Sequence, residues 1–395
     1  MNRSDDAAGL LVELVRAPSV TPDGAAAFDI IEHHLTAAGF AVERPVLESP
    51  GTAPVENLFA AIGEGARHFS LAGHVDVVPP GDEASWRYPP FSATVVDGVL
   101  YGRGAVDMKG GLATMLAAAL RFVAERGKSF GGRLSFLVTA DEEGVAVNGT
   151  KKLLEWVAAR GERFSAALVG EPTSAEALGD QIKVGRRGSY SATLVVDGKQ
   201  GHSAYPEKAE NPLRGLTRLL YALQATPLDR GTEHFGPSTL EVVSADVGNP
   251  AWNVIPARAE ARFNCRFNDA WTPARLKAEI ERRLSLAAGD AALGARTPVR
   301  WRLVDGPPSA DVFLTRDDAL IGIASAAIEA VTGRRPKLST AGGTSDARFI
   351  KDYCPVIELG PVGTTMHQVD ERVPLAEIEQ AALIYERILK AYFSA

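Results

Sequence analysis

Short apolar runs alternate with longer amphipathic segments along the first part of the chain. Each apolar run ends in glycine or polar residues, which is typical of strands buried in a parallel sheet. The longer segments repeat apolar residues at helical spacing. The predicted strands are 41–46, 69–72, 133–139 and 166–169, and the predicted helices are 25–38, 112–126 and 151–159. This alternation predicts an α/β fold with a mainly parallel sheet and helices on both faces.

The pattern changes after Lys183 and describes a second, smaller domain. Apolar and polar residues alternate strictly from 257 to 267, as in an antiparallel strand with one solvated face. A helix is predicted to start at the Thr272 cap, with Pro273 in its first position. The predicted elements are strands 189–197, 239–247, 257–267 and 299–304, and helices 212–225 and 272–286. Their order, βαββαβ, predicts a ferredoxin-like α+β domain.

The α/β pattern then returns, so the second domain is predicted to be inserted into the first. The returning elements are helix 319–332, strand 355–359 and helix 375–392. We assign 1–185 and 304–395 to the main domain and 186–303 to the inserted domain. A length of 395 residues agrees with two domains, because it exceeds the usual size of one.

Composition mainly excludes classes of protein. The hydrophobic fraction of 46% and the charged fraction of 23% are those of a globular chain. A net charge of -7 disfavours a general nucleic-acid binder, which needs a basic face. Cys265 and Cys354 can form neither a disulfide framework nor a CxxC site. The N-terminal segment predicts an amphipathic helix rather than a signal peptide, and no apolar run is long enough to span a membrane. We therefore expect a cytoplasmic protein without nucleic-acid or membrane partners.

Acidic and histidine side chains recur where the predicted strands end. They are His74 and Asp76, Glu142 and Glu143, Glu171 and His367, together with Asp107 in a glycine-rich loop before a helix. The carboxyl ends of strands form the ligand-binding edge of an open α/β sheet. Carboxylates gathered there repel one another unless cations neutralise them, and a carboxylate shared by two cations is a recurring hydrolytic metal centre. Each motif alone also fits an ordinary turn, cap or surface histidine, but the combination favours the metal centre.

The sequence resembles the metal-dependent amidohydrolases of peptidase family M20 over nearly its whole length. The resemblance rests first on LAGHVDVVP, YGRGAVDMKGG, TADEEG, VGEPTS and the late Met366-His367. It rests further on GDQIKVGRRGS, QGHSAYP, NVIP, FNCRF and GGTSDARFI, which are more specific than the metal motifs. Ser203 departs from the family pattern, in which an apolar residue often follows the histidine. We expect this departure to change the edge of the pocket and not the chemistry.

The resemblance implies two divalent metal ions in the main domain, which would be catalytic. The implied ligands are a bridging Asp107, His74 and Glu171 for one ion, and Glu143 and His367 for the other. Zinc suits this mixed nitrogen and oxygen set, and cobalt could replace it. Asp76 lies two residues from His74, on the same side of an extended chain, and would fix the tautomer of that histidine.

Glu142 would remain outside the ligand set and act as the general base. Zinc lowers the pKa of a coordinated water to about 7, so a nearby carboxylate can take its proton. Glu142 would later return this proton to the leaving amine. The residues alone leave two other roles open for Glu142, either a third ligand or a solvated neighbour of Glu143.

The resemblance also implies substrate contacts, most of them in the inserted domain, which would act as a lid and dimerisation domain. The implied residues are Arg187 and Arg266 for carboxylates, His202 as an oxyanion donor to the other subunit, Asn253 beside it, and Gly343 and Thr344. Guanidinium groups match carboxylates in geometry. From the residues alone, the arginines could equally lie at a solvated strand edge, His202 in a polar loop and Gly343 in a plain turn.

Within the family, GRRGS and GGTSDARFI favour members that hydrolyse N-succinyl-L,L-2,6-diaminopimelate to succinate and L,L-2,6-diaminopimelate, in lysine and diaminopimelate biosynthesis. The alternative is an acetylornithine deacetylase or another deacylase or dipeptidase of the family. A non-catalytic binding protein on this fold would have a broken ligand or base set, whereas all seven positions are filled here. We therefore expect a homodimeric hydrolase with two metal ions, acting on a small N-succinyl amino acid.

Overall fold

The structure, a computed structural model, describes residues 6–289 and 299–394. Residues 1–5, 290–298 and 395, which the predicted domains include, lie outside the described residues. The chain divides into two units. Unit 1 comprises Met1–Val184, Thr315–Ser339 and Ser345–Ala395, and unit 2 comprises Gly185–Leu314 and Thr340–Thr344.

Helices and strands alternate through much of the chain. The helices are α1 (Ala7–Arg16), α2 (Ala25–Ala37), α3 (Lys109–Arg126), α4 (Thr150–Ala159), α5 (Pro212–Gln224), α6 (Pro273–Gly289), α7 (Asp318–Thr332), α8 (Ala347–Ile350) and α9 (Leu375–Ser394). The strands are β1 (Ala41–Glu43), β2 (Val46–Leu47), β3 (Val55–Ile62), β4 (His68–His74), β5 (Thr94–Val96), β6 (Val99–Tyr101), β7 (Arg133–Thr139), β8 (Ala166–Val169), β9 (Gln181–Lys183), β10 (Gly185–Arg186), β11 (Gly188–Asp197), β12 (Gly201–His202), β13 (Thr239–Asp246), β14 (Val254–Ile255), β15 (Arg258–Phe267), β16 (Arg300–Asp305), β17 (Phe313–Leu314), β18 (Lys337–Ser339), β19 (Val356–Glu358) and β20 (Arg372–Pro374). No helix in the described ranges is long and apolar enough to cross a membrane.

Unit 1 is built on a sheet with the strand order β1-β3-β7-β4-β8-β19-β9-β18, and β2 pairs with β3 beside this path. The pairs β4–β7, β4–β8, β8–β19 and β9–β18 are parallel. Strands β4 and β8 are buried along their whole length, as expected for strands covered on both faces. The prediction of an α/β fold with a mainly parallel sheet is confirmed.

Helix α3 forms much of the core of unit 1. It is buried continuously from Lys109 to Leu120, and both α1 and α9 pack against it. A helix that is apolar on nearly all sides belongs in a core. Because α3 starts two residues after Asp107, its burial also fixes where that carboxylate lies.

The sheet differs from the sequence prediction at several strands, and β9 and β18 were not predicted. The predicted strand 41–46 is two strands, β1 and β2, separated by Pro45, which has no N–H to donate to a ladder. Strand β3 was not predicted. It is buried on both faces and pairs antiparallel with β7, so its residues lack the alternation that marks a half-solvated strand.

Unit 2 contains a four-stranded antiparallel sheet with the order β13-β15-β11-β16. Apolar side chains on one face of β15, including Phe263 and Phe267, pack with Leu219 of α5 and Ile280 of α6. The opposite face of β15 carries the polar residues, as the alternation predicted. The ferredoxin-like βαββαβ arrangement is confirmed.

Unit 2 is longer than the predicted inserted domain. The predicted end at residue 303 falls inside β16, which pairs with β11. Strand β17 then pairs with β10, which extends the unit to Leu314. Unit 2 also includes Thr340–Thr344, which the sequence prediction placed in the main domain.

His68 is a buried histidine of unit 1 that has no place in the predicted metal centre. Its Nε2 lies 2.8 Å from Ser135 Oγ, and its Nδ1 lies 3.4 Å from a carboxylate oxygen of Glu162. Burial lowers the pKa of His68 to about 4, although the Glu162 charge opposes this shift. The unfolded chain therefore binds a proton more readily than the folded chain between pH 6.5 and pH 4.

We predict that His68 makes the protein less stable as the pH falls through this window. From pH 7 to pH 5, the histidine should lower the free energy of unfolding by about 2 kcal/mol. His68→Gln, which can still hydrogen-bond to Ser135, should lose this part of the pH dependence. Urea unfolding of both proteins at the two pH values measures the difference. Equal pH dependence of the two proteins would contradict the prediction.

Candidate metal centre and active site

The carboxylate of Asp107 lies between two groups of ligand-type side chains. Its Oδ1 is 3.4 Å from His74 Nε2, and its Oδ2 is 3.3 Å from His367 Nε2. The two oxygens of one carboxylate therefore face two different histidines. This is the arrangement that a carboxylate bridging two cations needs.

Two further carboxylates complete the groups. Glu171 Oε1 lies 3.9 Å from His74 Nε2, and Glu143 Oε1 lies 2.8 Å from His367 Nε2. In each of the two groups, one ligand atom per residue lies within 4.8 Å of the others. The groups are His74, Asp107 and Glu171, and Asp107, Glu143 and His367. The structure thus brings together all five residues that the sequence predicted as ligands.

The fold explains why these side chains meet. His74 is the last residue of β4, Glu171 follows β8, and Glu143 follows β7. These three strands are adjacent and parallel, so their carboxyl ends lie at one edge of the sheet. His367 lies in the loop between β19 and β20 and has a positive φ of 60°. Such a φ is uncommon for a residue other than glycine and is often found at functional sites.

The tautomer of His74 follows from a backbone contact. Its Nδ1 lies 2.8 Å from the main-chain oxygen of Asp76, and a carbonyl oxygen can only accept. In neutral His74 the proton is therefore on Nδ1, and the Nε2 lone pair is directed towards Asp107 and Glu171. The Asp76 carboxylate, which we expected to fix this tautomer, is 3.5 Å from Nδ1. The main chain at Asp76, rather than its side chain, makes the closer contact.

The Asp76 carboxylate instead holds the two consecutive glutamates. Its oxygens accept hydrogen bonds from the main-chain N–H groups of Glu142 and Glu143, at 3.3 and 3.0 Å. Asp141 anchors the other side of this loop, because its carboxylate accepts from the N–H groups of three residues that follow. These residues are Ala146, Val147 and Asn148. The positions of Glu142 and Glu143 are thus set by two buried carboxylates.

Two buried polar atoms of the two ligand groups show whether metal ions fit the site. His74 Nε2 and Asp107 Oδ1 are both buried and have no hydrogen-bond partner in the described structure. Buried polar atoms are normally satisfied, and an unsatisfied group is costly. One atom is a lone-pair nitrogen and the other a carboxylate oxygen, so a cation satisfies both. The donor set is the imidazole and carboxylate set that divalent zinc binds. The residues present fit the metal centre that the family pattern implies.

The electrostatics of the cluster also indicate a need for positive charge. Burial, together with the charge of Glu171, raises the pKa of Glu142 well above its ordinary value. Burial raises the pKa of Asp346 to about 6. Hydrogen bonds to Asp107 and Glu143 raise the pKa of His367 to about 10. Each shift favours a bound proton, and bound cations would neutralise the same excess of negative charge.

Sequence reasoning missed several residues that support the cluster. Asp141 and Asp346 are buried acidic residues beside predicted site residues, and Glu371 is a buried acid that follows the His367 loop. Asp141 lies in the TADEEG motif and Asp346 in GGTSDARFI, but neither was given a role. Glu371 belongs to no strand-end motif, so its position gave no signal. Arg103 did offer a signal, because an arginine among the glycines and apolar residues before Asp107 requires a partner if it is buried.

The residues predicted to bind substrate lie in unit 2. Arg187 directly precedes β11, and Arg266 lies on β15 opposite Ser189 of β11. Both arginines are half-buried, and Arg187 Nε is buried without a hydrogen-bond partner in the described structure. Asn264 accepts a hydrogen bond from Arg266 Nε at 3.0 Å and so orients that guanidinium group.

The other predicted contacts of unit 2 are more exposed. His202 ends β12, which pairs with β14, and Asn253 directly precedes β14. Both side chains are exposed, and the main-chain oxygen of Asn253 accepts from the N–H of Ser203 at 2.9 Å. Gly343 and Thr344 lie in the segment that joins unit 2 from late in the chain, and Arg186 donates to the Gly343 oxygen at 3.0 Å.

The chain matches the model of peptidase family M20/M25/M40 over residues 70–391. The chain therefore belongs to peptidase family M20/M25/M40. It is 60% identical over 382 residues to the succinyl-diaminopimelate desuccinylase of Methylobacterium sp. (strain 4-46), covering 97% of this chain and 95% of that protein. It is 57% identical over 389 residues to the succinyl-diaminopimelate desuccinylase of Methylobacterium radiotolerans, covering 98% of this chain and 97% of that protein.

Solved structures of the family have the same fold. A tripeptidase from Staphylococcus aureus superposes with a TM-score of 0.78 at 20% identity and covers 99% of both chains. A dinuclear metal-binding peptidase of the M20 family from Bacillus subtilis superposes with a TM-score of 0.68 at 18% identity, covering 98% of this chain and 97% of that chain. At these identities the similarity concerns the fold.

A close backbone contact between α3 and the end of β8 leads to a prediction. A Cβ atom on Gly111 would lie 1.9 Å from the main-chain oxygen of Gly170, which precedes Glu171. Gly111→Ala must therefore displace the helix or the strand end, and should lower the free energy of unfolding by about 1–3 kcal/mol. Urea unfolding measures the effect.

Gly322→Ala is the matched control. Gly322 lies in the exposed part of α7, and its Cβ would meet no atom within 4 Å. This substitution should raise the free energy of unfolding by about 0.5–1 kcal/mol, because alanine favours helix. Equal stability of the two variants would show that the contact at Gly170 is not tight.

Proposed function

We propose that this protein is a succinyl-diaminopimelate desuccinylase, which hydrolyses N-succinyl-L,L-2,6-diaminopimelate to succinate and L,L-2,6-diaminopimelate. The product is an intermediate of lysine and diaminopimelate biosynthesis. The observation that carries the proposal is the Asp107 carboxylate with one oxygen facing each of two ligand groups. Full-length relatives with 57–60% identity are desuccinylases by name, which supports this substrate over that of other members.

In this proposal the cluster holds two divalent ions per chain. The ligands are Asp107 for both ions, His74 and Glu171 for one, and Glu143 and His367 for the other. Zinc suits the mixed set, and cobalt is the alternative. When bound, the ions would polarise the amide carbonyl and lower the pKa of a water molecule, which could then lose a proton and attack the carbonyl carbon. The name of the Bacillus subtilis relative, a dinuclear metal-binding peptidase, supports the number of ions.

The chain's own residues would move the proton. Glu142 lies outside both ligand groups, although it adjoins Glu143. Its half-buried carboxylate is held near the cluster by the hydrogen bond from its N–H to Asp76. We propose that Glu142 takes a proton from the attacking water and delivers it to the nitrogen of the leaving amine. Asp76 acts by holding the main chain of Glu142 and Glu143.

Unit 2 would recognise the ends of the substrate. The substrate carries carboxylate groups, which Arg187 and Arg266 can bind with paired N–H donors. Gly343 and Thr344 would add main-chain N–H and hydroxyl donors. His202 would donate to the oxyanion that forms at the amide carbon, with Asn253 beside it. In this proposal His202 acts on the site of a second subunit.

A second subunit would also cover an open sheet edge. Strand β13 pairs with β15 on one side, and in the described structure no strand pairs with its other side. Its side chains are mostly exposed, including Val243. Edges of this kind are commonly covered in proteins, and a two-fold homodimer covers the same edge in both copies. We further propose that the protein works in the cytoplasm.

The first test is a panel of substrates. Zinc-loaded protein should hydrolyse N-succinyl-L,L-2,6-diaminopimelate with a kcat/KM at least about 100-fold above that for N-acetylornithine or a dipeptide. This preference follows because a site built around the polar ends of one substrate rejects analogues that lack them. Protein treated with a chelator serves as the control and should be inactive. A higher kcat/KM for N-acetylornithine would favour the alternative deacylase.

The second test separates the base from its neighbour. Glu142→Gln keeps the size of the side chain but cannot accept a proton, so kcat should fall at least about 100-fold while both ions stay bound. Glu143→Gln should instead lower the metal content, because Glu143 is a ligand. Turnover and elemental analysis are measured on both variants. Loss of metal from Glu142→Gln would make Glu142 a ligand, and retained turnover would place the base elsewhere.

A further inference from the structure

A buried ion pair joins the loop that carries Asp107 to the loop that carries His367. The pair is Arg103 and Glu371, with Arg103 Nη1 2.7 Å from Glu371 Oε2. Both side chains are almost completely buried. We propose that Glu371 and Arg103 are positioning residues that set the spacing between Asp107 and His367. They thereby set the affinity for the second metal ion, the one that Asp107, Glu143 and His367 would hold. This inference rests on the proposed two-metal function.

Glu371 is bonded to the Asp107 loop from both carboxylate oxygens. Its Oε1 accepts from the N–H groups of Val106 and Asp107, at 2.8 and 3.1 Å. Its Oε2 accepts from the N–H of Gly104 at 2.9 Å, in addition to Arg103. Three main-chain N–H groups of the loop are thus bonded to one side chain, and one of them belongs to Asp107 itself.

Arg103 extends the same network to the His367 loop. Its Nη1 also donates to the main-chain oxygen of Gln368 at 3.2 Å, and its Nη2 to that of His367 at 3.5 Å. The guanidinium group lies over the ring of Trp86, with 5.1 Å between Arg103 Cζ and the ring centroid. The planar group is therefore held between a ring, a carboxylate and two carbonyls. It can act as a rigid spacer, since its donors have fixed directions.

The two ligand groups depend on this network to different degrees. His74 and Glu171 are carried by β4 and β8, which lie side by side in the sheet and are bonded to each other. His367 lies in a loop, exposed, and in a strained conformation. Its main chain is bonded directly to Arg103. Disruption of the ion pair should therefore weaken metal binding by Asp107, Glu143 and His367 more than metal binding by His74, Asp107 and Glu171.

Glu371→Gln tests the inference. Glutamine replaces one acceptor oxygen with an NH₂ group, which then faces N–H donors that lose their partner. Zinc ions are added to metal-depleted protein, and stepwise binding is measured by calorimetry. The second step should weaken at least about 10-fold, the usual effect of removing a residue that supports a ligand, and the first step should change less. Circular dichroism checks that the metal-free variant is folded.

Arg103→Lys provides an independent variant if Glu371→Gln does not fold. It keeps the charge next to Glu371 but cannot reach the carboxylate and both carbonyls at once, so the second step should weaken again. Asp229→Asn is the matched control. The Asp229 carboxylate accepts from the N–H groups of Gly231 and Ser238, and none of its partners is a proposed ligand. This variant should bind both ions as the unmodified protein does.

The outcomes separate the inference from the function it rests on. If the unmodified protein binds fewer than two zinc ions, the proposed two-metal function fails. If it binds two, and a folded Glu371→Gln or Arg103→Lys variant binds both with unchanged affinity, the positioning role fails. Equal weakening of both steps also overturns it, because that result indicates a general loss of structure. Selective weakening of the second step supports it.

Discussion

Buried carboxylates concentrated at one edge of a parallel sheet are the constraint on which the rest of unit 1 depends. Asp76, Asp107 and Glu171 are each at least nine-tenths buried, and Glu142 and Glu143 lie beside them. Such a concentration of negative charge is unfavourable in a poorly solvated site. Two features of the structure accommodate it. Two main-chain N–H groups donate to the Asp76 carboxylate, and two histidines face the two oxygens of Asp107. Burial, and after it the charge of Glu171, still raises the pKa of Glu142 above its ordinary value.

Close packing brings the ligands within reach of one another. Gly111 of α3 meets the end of β8, and Gly360, after β19, approaches the main chain of Glu171 so closely that a Cβ would lie 2.3 Å from its oxygen. Side chains at these positions would separate the helix from the strand ends. The ligand geometry is thus a property of backbone packing as much as of the ligands. The buried acids that clamp the loops, Asp141 and Glu371, act in the same way.

The sequence predicted the proposed metal ligands better than it predicted the residues that hold those ligands in position. His74, Glu143 and Glu171 were found because each lies at or shortly after the end of a recognisable apolar strand, and the sheet places such positions together. Glu371 follows no such strand, and its bonds to a loop more than 260 residues earlier leave no local pattern. Asp76 shows a related limit. The sequence shows that it lies two residues from His74. Whether its carboxylate or its main-chain carbonyl makes the closer contact with His74 Nδ1 depends on the local path of the main chain.

The way the chain passes between its units has a consequence for synthesis on the ribosome. Strand β8 pairs with β19, and the whole of unit 2 lies between these two strands in the chain. The four-stranded sheet of unit 2 is complete once β16 has emerged, whereas the central sheet of unit 1 has to wait for β19. An apolar strand that is buried on both sides in the finished protein therefore stays uncovered on one flank during that interval. An unpaired strand edge of this kind makes a nascent chain prone to aggregate, and chaperones limit that hazard.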